Sequence, residues 1–538
     1  MKKILNRILL LSFLILAGCD NSLDEKVYSD LLDNNYLYSK NEAYNVIGPV
    51  YSNMRGLFSA TVTFFMVQEC SADISVRPAN SSGWDNAGIW RRFMLHSWTT
   101  EEWLLNETWN TLFSGAIHAT RIIDEIESNK IPIPQGESKE TFIAEMKVAR
   151  AFYNWLILDN FGDAPLVKVV TQENPSKTPR AEIYQFVIDE INAALPDLSE
   201  DNGQKMYGRF NKWAAKALLA NVYLNAEVYT GQTQWNECIS ECNDIINSGK
   251  YILEPSFRNN FLTNNENSLE NIFAVPFDDI YATGFIIHNF SLNSQSKATY
   301  NLQSSPYGAG GFCANPQFID SFDPEDSRLK DTYIMGPQFA ADGITPILCA
   351  YDKKGQLLVY TKELPDGIFQ AENEGYRIGK WEYKMGAKSN LSNDFPVFRY
   401  AQVLMMKAEC LLRTGQKDLA AGIVTQVRQR DFIDNPGKAV VTGNQLEGNS
   451  GYQYGYVENY KIVDPGNTDP ILYGRFLDEL GWEFAVETTR RRDLIRFGVF
   501  TKKSWLSHKP NGDYRSVFPL IQGAINANPK LVQNPNYN

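Results

Sequence analysis

Two stretches of the chain combine flat aromatic rings with short polar side chains, away from the apolar stripes of helical patterns. Residues 71–102 contain Trp84, Asp85, Asn86, Trp90, Arg91 and Arg92; residues 281–312 contain Tyr281, His288, Tyr300, Gln303, Tyr307 and Phe312 among Asn, Ser and Gly. A sugar ring has an apolar C–H face edged with hydroxyls. Residues suited to hold one are therefore rings that stack, helped by Asn, Asp, Arg or Gln, and aromatic side chains give large contact area at low entropic cost. Trp84, Trp90, Arg91, Tyr281, Tyr300 and Tyr307 are the candidate contacts. The competing reading for every ring is packing, and Trp98 and Trp103, close to a helical stretch at 107–126, are assigned to it.

Other chemistries find less support. Glycoside hydrolysis needs two carboxylates about 5 to 9.5 Å apart, but with 63 acidic residues candidate pairs are free and discriminate nothing. The four histidines, His96, His118, His288 and His508, form no H-E-x-x-H, and none has a cysteine at zinc spacing, so neither a metal nor another cofactor is expected. Gly308 to Gly311 lacks the Lys-Ser/Thr ending of a phosphate loop. The net charge of −12 argues against nucleic acid, which requires clustered Lys and Arg. An apolar content of 43% with 21% charged residues is that of a folded globular protein. Cys238 and Cys242, four apart in a helical pattern, share one face and read first as small buried apolar side chains, with a disulfide or metal site as the alternative.

The elements that must carry these rings are helical. Phe142, Met146, Ala149, Phe152 and Tyr153 recur at three- and four-residue steps over 141–160, and Gly162 and Pro165 stop the pattern. Residues 208–229 repeat it with Phe210, Trp213, Ala214, Ala217, Ala220 and Leu224; after Thr230-Gly231, a second stripe from Trp235 to Ile246 ends at Gly249. Residues 398–430 copy this pair, with a break at Thr414-Gly415. Each pair takes roughly the 34 residues of a tetratricopeptide unit. Helical stretches at 107–126 and 179–195 are further partners. The predicted fold is mainly α, a scaffold of stacked tetratricopeptide-like helix pairs at 41–250 and 397–538, interrupted by a loop-rich insertion at 251–396. Long irregular insertions are usually functional.

The N-terminus is a leader. Lys2, Lys3 and Arg7 precede an apolar run from Ile8 to Leu16, about half the length a membrane span needs, then Ala17, Gly18 and Cys19. This resembles a bacterial lipobox, in which Cys19 would become the first mature residue and carry the lipid. The expected organisation is a signal peptide at 1–18, the lipidated cysteine and a polar tether at 19–40, and the folded part at 41–538.

Four stretches in this order are similar to the SusD/RagB family of surface glycan-binding lipoproteins. They are AEMKVARAFY at 144–153 leading to NFGDAPLV at 160–167; FRYA at 398–401 through Ala408-Glu409 to VRQR at 427–430; GWEFAVE at 481–487 with RRRDLIRFG at 490–498; and Asn528-Pro529 with QNP at 533–535. The resemblance implies a non-catalytic outer-membrane lipoprotein facing the cell exterior. It also implies a ligand surface built from the loop after the first helix and from the large insertion, and a SusC-like TonB-dependent barrel as partner, to which an oligo- or polysaccharide is delivered. The alternatives are a tetratricopeptide adaptor that binds only protein, and a glycoside hydrolase. The charges of Glu483, Glu487, Arg490, Arg491 and Asp493 fall at helical spacing, where pairs four apart add only about 0.2–0.5 kcal/mol each, so the cluster reads as scaffold, with arginine forks tying the helix to neighbouring groups.

Overall fold

The computed structural model describes residues 42–59, 63–170 and 173–537; the segments expected to be leader and tether, with Cys19, lie outside them. The principal helices of the first half are α1 (Glu42–Phe58), α2 (Phe64–Cys70), α3 (Ile89–Met94), α4 (Trp103–Glu127), α5 (Lys139–Phe161), α6 (Arg180–Ala194), α7 (Lys212–Leu224) and α8 (Trp235–Asn247). Those of the second half are α9 (Tyr400–Arg413), α10 (Lys417–Arg428), α11 (Gly474–Phe484), α12 (Arg490–Arg496) and α13 (Gln522–Ala527). No helix among the described residues is long and apolar enough to cross a membrane.

Helix α5 begins and ends for local reasons. Ser138 caps α5 by accepting from the Thr141 N–H at 3.1 Å, and Gly162, with φ of +69°, ends it. The stripe expected on α5 is only part of what it buries: from Ala144 to Phe161 nearly every side chain is enclosed. Burial on all sides marks a central helix, and α5 packs between α4 and α6. The α4–α5 crossing depends on Gly115, where a Cβ would land inside the Tyr153 ring. Tyr153 is fixed by its hydroxyl, which donates to the Val50 carbonyl at 2.6 Å. Gly115→Ala is therefore expected to overpack the crossing and cost about 1–3 kcal/mol in urea unfolding.

The two repeats meet in space although some 150 residues of chain separate them. α7 packs on α8, α8 on α9, and α9 on α10, so the pairs stack into one scaffold. Ala217 and Ala408 are fully buried in it. Strands Asn271–Val275 and Phe395–Arg399 pair antiparallel, bringing the two ends of the intervening segment side by side. Within that segment the elements are short. Its Cys313–Ala314, Arg377–Ile378 and Tyr333–Ile334 join Ser75–Val76 in a four-stranded sheet, and Ala79–Asn80 pairs with Phe369–Gln370. These pairings carry the loop that follows residue 76 onto the insertion.

The charged segment at 474–498 departs from a single helix. α11 ends at Phe484, Val486 and Thr488 adopt positive φ, and α12 starts at Arg490. The chain turns here so that its carboxylates meet arginines from other elements, all buried. Glu483 accepts from Arg399 at 2.7 Å, from Arg328 at 3.2 Å, and from Arg430. Glu487 takes two bonds from Arg399, at 2.8 and 2.9 Å, and one from Lys380. Arg490 holds Asp73 through two nitrogens, at 2.7 and 2.9 Å. Burial opposes ionisation of Glu483, but Arg430, Arg399 and Arg328 outweigh it and hold the carboxyl well below the usual range.

Glu69 on α2 is the opposite case. Its Oε1 accepts from the Thr488 N–H at 2.8 Å while Oε2 has no hydrogen-bond partner among the described residues. Burial pushes the carboxyl up to about 8. Between the unfolded value near 4.5 and the folded value near 8 the native state binds the extra proton, so stability falls as pH rises through that window. Glu69→Gln is expected to flatten this decline, read as a smaller loss of denaturation midpoint from pH 5 to pH 8 than in the parent.

Candidate functional site: an open aromatic recess

Trp84, Phe290, Tyr307 and Gly308 line an open recess of about 440 Å³. Trp84 comes from the loop after residue 76, and the others from the insertion. Asn80 ties the two together: its amide donates to the Gly310 carbonyl, and its carbonyl oxygen accepts from the backbone N–H and the hydroxyl of Ser82 at 3.1 and 2.6 Å. Gly310, at φ of +68°, lies so close to Ser291 and Leu292 that a Cβ would overlap their backbone, so the Gly-rich run at 308–311 serves a close approach. The Tyr307 N–H donates to the Asn289 carbonyl at 3.1 Å and the Ser294 N–H to the Gly308 carbonyl at 2.8 Å, which hold the Tyr307 loop against the short helix bearing Phe290.

The rings brace one another. Trp84 meets Tyr307 edge to face at 5.9 Å and Phe290 at 5.8 Å, and Phe290 meets Tyr307 edge to face at 5.7 Å. Such pairs contribute about 0.5–1.5 kcal/mol beyond the area they bury. Beneath them the buried Arg77 guanidinium lies 4.6 Å from the Trp84 ring, 4.4 Å from Trp90 and 5.0 Å from Phe290. Its Nη1 donates to the Phe290 carbonyl at 2.7 Å. Burial pushes Arg77 down to about 9, which leaves it protonated at neutral pH. The exposed platform thus rests on a fixed cation. A surface of this kind can stack on a flat apolar ligand face. None of the four lining residues is an aspartate, glutamate, histidine or cysteine.

The six sequence candidates divide. Trp84 and Tyr307 lie together in the recess. Trp90 is 2% exposed; it supports Trp84 from below at 5.4 Å and offers no free face. Arg91 is outside the recess lining, half-buried and paired with Asp85 at 2.5 Å. Tyr300 packs edge-on against Tyr383 at 5.5 Å, away from the recess lining. Tyr281 is 89% exposed at the tip of a turn closed by Asp278, whose carboxylate accepts the Ile280 and Tyr281 N–H groups. His288 and Phe312 are buried. Phe290 and Arg77 escaped sequence reasoning: Phe290 sits in an apolar run that reads as core, and nothing in the sequence places Arg77 beneath rings two hundred residues away.

Residues 218–537 match the model of the SusD family, and residues 24–224 match a model described as starch-binding associating with outer membrane. The chain belongs to the SusD family. It is 24% identical over 440 residues to the starch-binding protein SusD of Bacteroides thetaiotaomicron, covering 73% of this chain and 72% of that one. Among solved structures, NanU of B. fragilis superposes with a TM-score of 0.69 at 18% identity, covering 92% of this chain and 96% of that one. A laminarin-binding SusD-like protein does so with a TM-score of 0.68 at 19% identity, covering 93% and 100%. The mainly helical SusD-like scaffold expected from the sequence is thereby shown.

Proposed function

We propose that this SusD-family protein holds an oligo- or polysaccharide by stacking on the Trp84–Phe290–Tyr307 recess, and releases it unbroken to a SusC-like TonB-dependent barrel at the cell surface. The observation that carries this reading is the recess itself: the Trp84 and Tyr307 rings open to solvent over a buried Phe290, with no carboxylate among the four lining residues. Relatives named for starch and laminarin binding support the ligand class. The matched description of outer-membrane association supports the location, with Cys19 as the lipid-bearing residue. An open surface of a few rings gives weak to moderate affinity, roughly millimolar to micromolar, or about −4 to −8 kcal/mol.

The test is a glycan array with the protein lacking its leader, followed by calorimetry and chromatography on the best ligand. Binding without new products is the expected result. Released sugars would replace this reading with an enzyme, and no binding to any glycan would favour a protein-binding adaptor. Mild-detergent extraction is expected to recover a large barrel with the protein; repeated recovery of the protein alone at native levels would remove the partner. Cys19→Ala is expected to leave the membrane fraction, because stable anchoring needs more than one acyl chain and a lipobox cysteine supplies several.

A further inference from the structure

A second groove lies at the start of α4. Trp103, read from the sequence as a packing residue, is 39% exposed, whereas Trp98 is buried. With Thr100, Glu101 and Asn106 it forms one wall of a space of about 320 Å³; Ile521, Gln522, Gly523 and Asn526 form the other. The groove is assembled from distant parts of the chain: the Gln522 N–H donates to the Thr100 carbonyl at 3.1 Å and joins α13 to the chain before α4. Asn106 lies three residues from Trp103, on the same helix face. Gln522 and Asn526 share a face of α13 and are bonded to each other at 2.9 Å. Apart from the exposed Glu101, the polar side chains of the lining are amides and the Thr100 hydroxyl, without lysine or arginine. An indole edged by amides, each carrying both donors and an acceptor, matches a neutral ligand with an apolar face and a rim of hydroxyls.

The groove is also tied to the first site. Arg92 donates to the carbonyl of Ala87, three residues after Trp84, at 2.6 Å, and its other nitrogens grip the Glu102 carboxylate, next to Trp103, at 2.5 and 2.8 Å. One arginine thus fixes the Trp84 loop relative to the Trp103 helix start.

We propose that the Trp103 groove is a second saccharide subsite, which takes a further part of the same neutral polysaccharide whose first part stacks at Trp84. This inference rests on the proposed glycan-binding function. Two linked sites raise the affinity for a chain long enough to span them and leave a short oligosaccharide to the stronger site alone.

The experiment compares the parent, Trp84→Ala and Trp103→Ala on an array of neutral polysaccharides that includes starch and laminarin, then by calorimetry on the best polymer and its trisaccharide. For Trp103→Ala the ratio of polymer to trisaccharide affinity is expected to fall about fivefold or more, the scale of one lost ring contact. For Trp84→Ala both affinities are expected to fall. An unchanged ratio and unchanged array intensities for Trp103→Ala would overturn the second subsite and leave the proposed function standing, as would loss of a copurifying protein in place of polysaccharide. A parent that binds no polysaccharide would fail both. If Trp103→Ala does not fold by circular dichroism, the double variant Asn106→Ala/Gln522→Ala removes the hydroxyl partners without touching the ring and is held to the same ratio.

Discussion

Replacing Glu483 by alanine is expected to destabilise the protein by about 3–5 kcal/mol, the cost of breaking a buried ion network by removing one partner. Glu483 is fully buried, and three arginines from three different elements converge on it. Alanine would leave Arg328, Arg399 and Arg430 without their shared anion and without water to replace it, although Glu270, Glu479, Glu487 and Asp326 still hold them in part. Glu483→Gln keeps the shape and one acceptor oxygen, so a smaller loss is expected. The exposed pair Lys212–Glu200 serves as control; its removal is expected to leave the urea midpoint close to that of the parent. Because the folded-state pKa of Glu483 is depressed, its contribution is present above the unfolded carboxylate value and is lost as the pH falls below it. Glu69, with a raised value, acts with the opposite slope between about 4.5 and 8. A denaturation series from pH 3 to pH 9 on the parent, Glu483→Gln and Glu69→Gln separates the two contributions. A midpoint for Glu483→Ala equal to that of the parent would show that the network is not part of the stable core.

The same segment shows where the sequence stops being legible. Helices whose apolar residues recur at three- and four-residue steps, such as α5, α7, α8 and α9, were readable because that period is set by the backbone and not by the rest of the protein. The charges of 481–498 also follow a helical period. Their partners are Arg399, Arg430, Lys380 and Asp73, which no local pattern could supply, and the helix is broken at Val486 and Thr488. The rings behave similarly. Trp98 and Trp103 are five residues apart with similar neighbours, yet one is buried and the other lines a groove because α13 happens to pass there. Trp84 and Tyr307 were readable as aromatics in loops, but Trp90 was equally so, and only the position of Arg77 and Phe290 decides that Trp84 lies above and Trp90 below. The order of rings in a stack is a tertiary fact.

That order fixes the expected loss of binding when individual rings are removed. Trp84 is the central ring of the recess, in contact with Phe290, Tyr307 and Trp90, so Trp84→Ala removes a stacking face and also the brace for two others. For the best array ligand, affinity is expected to weaken by about 2 kcal/mol, roughly thirtyfold, the range of a strong aromatic hot spot. Tyr307→Ala removes one wall and is expected to cost less, about 1 kcal/mol. Tyr281→Ala is expected to leave affinity unchanged, since that ring lies outside the recess lining. Trp90→Ala tests the difference between a contact and a support. A buried indole packed on Arg77 is expected to cost about 3–5 kcal/mol of stability when deleted. Trp90→Phe retains a buried ring and is expected to hold most of that stability while loosening Trp84. Calorimetry on the four alanine variants that fold, with denaturation midpoints measured beside it, separates these outcomes. Equal affinity for Trp84→Ala and the parent would place the ligand elsewhere on the surface, whatever the rings of the recess have in common with a sugar-binding platform.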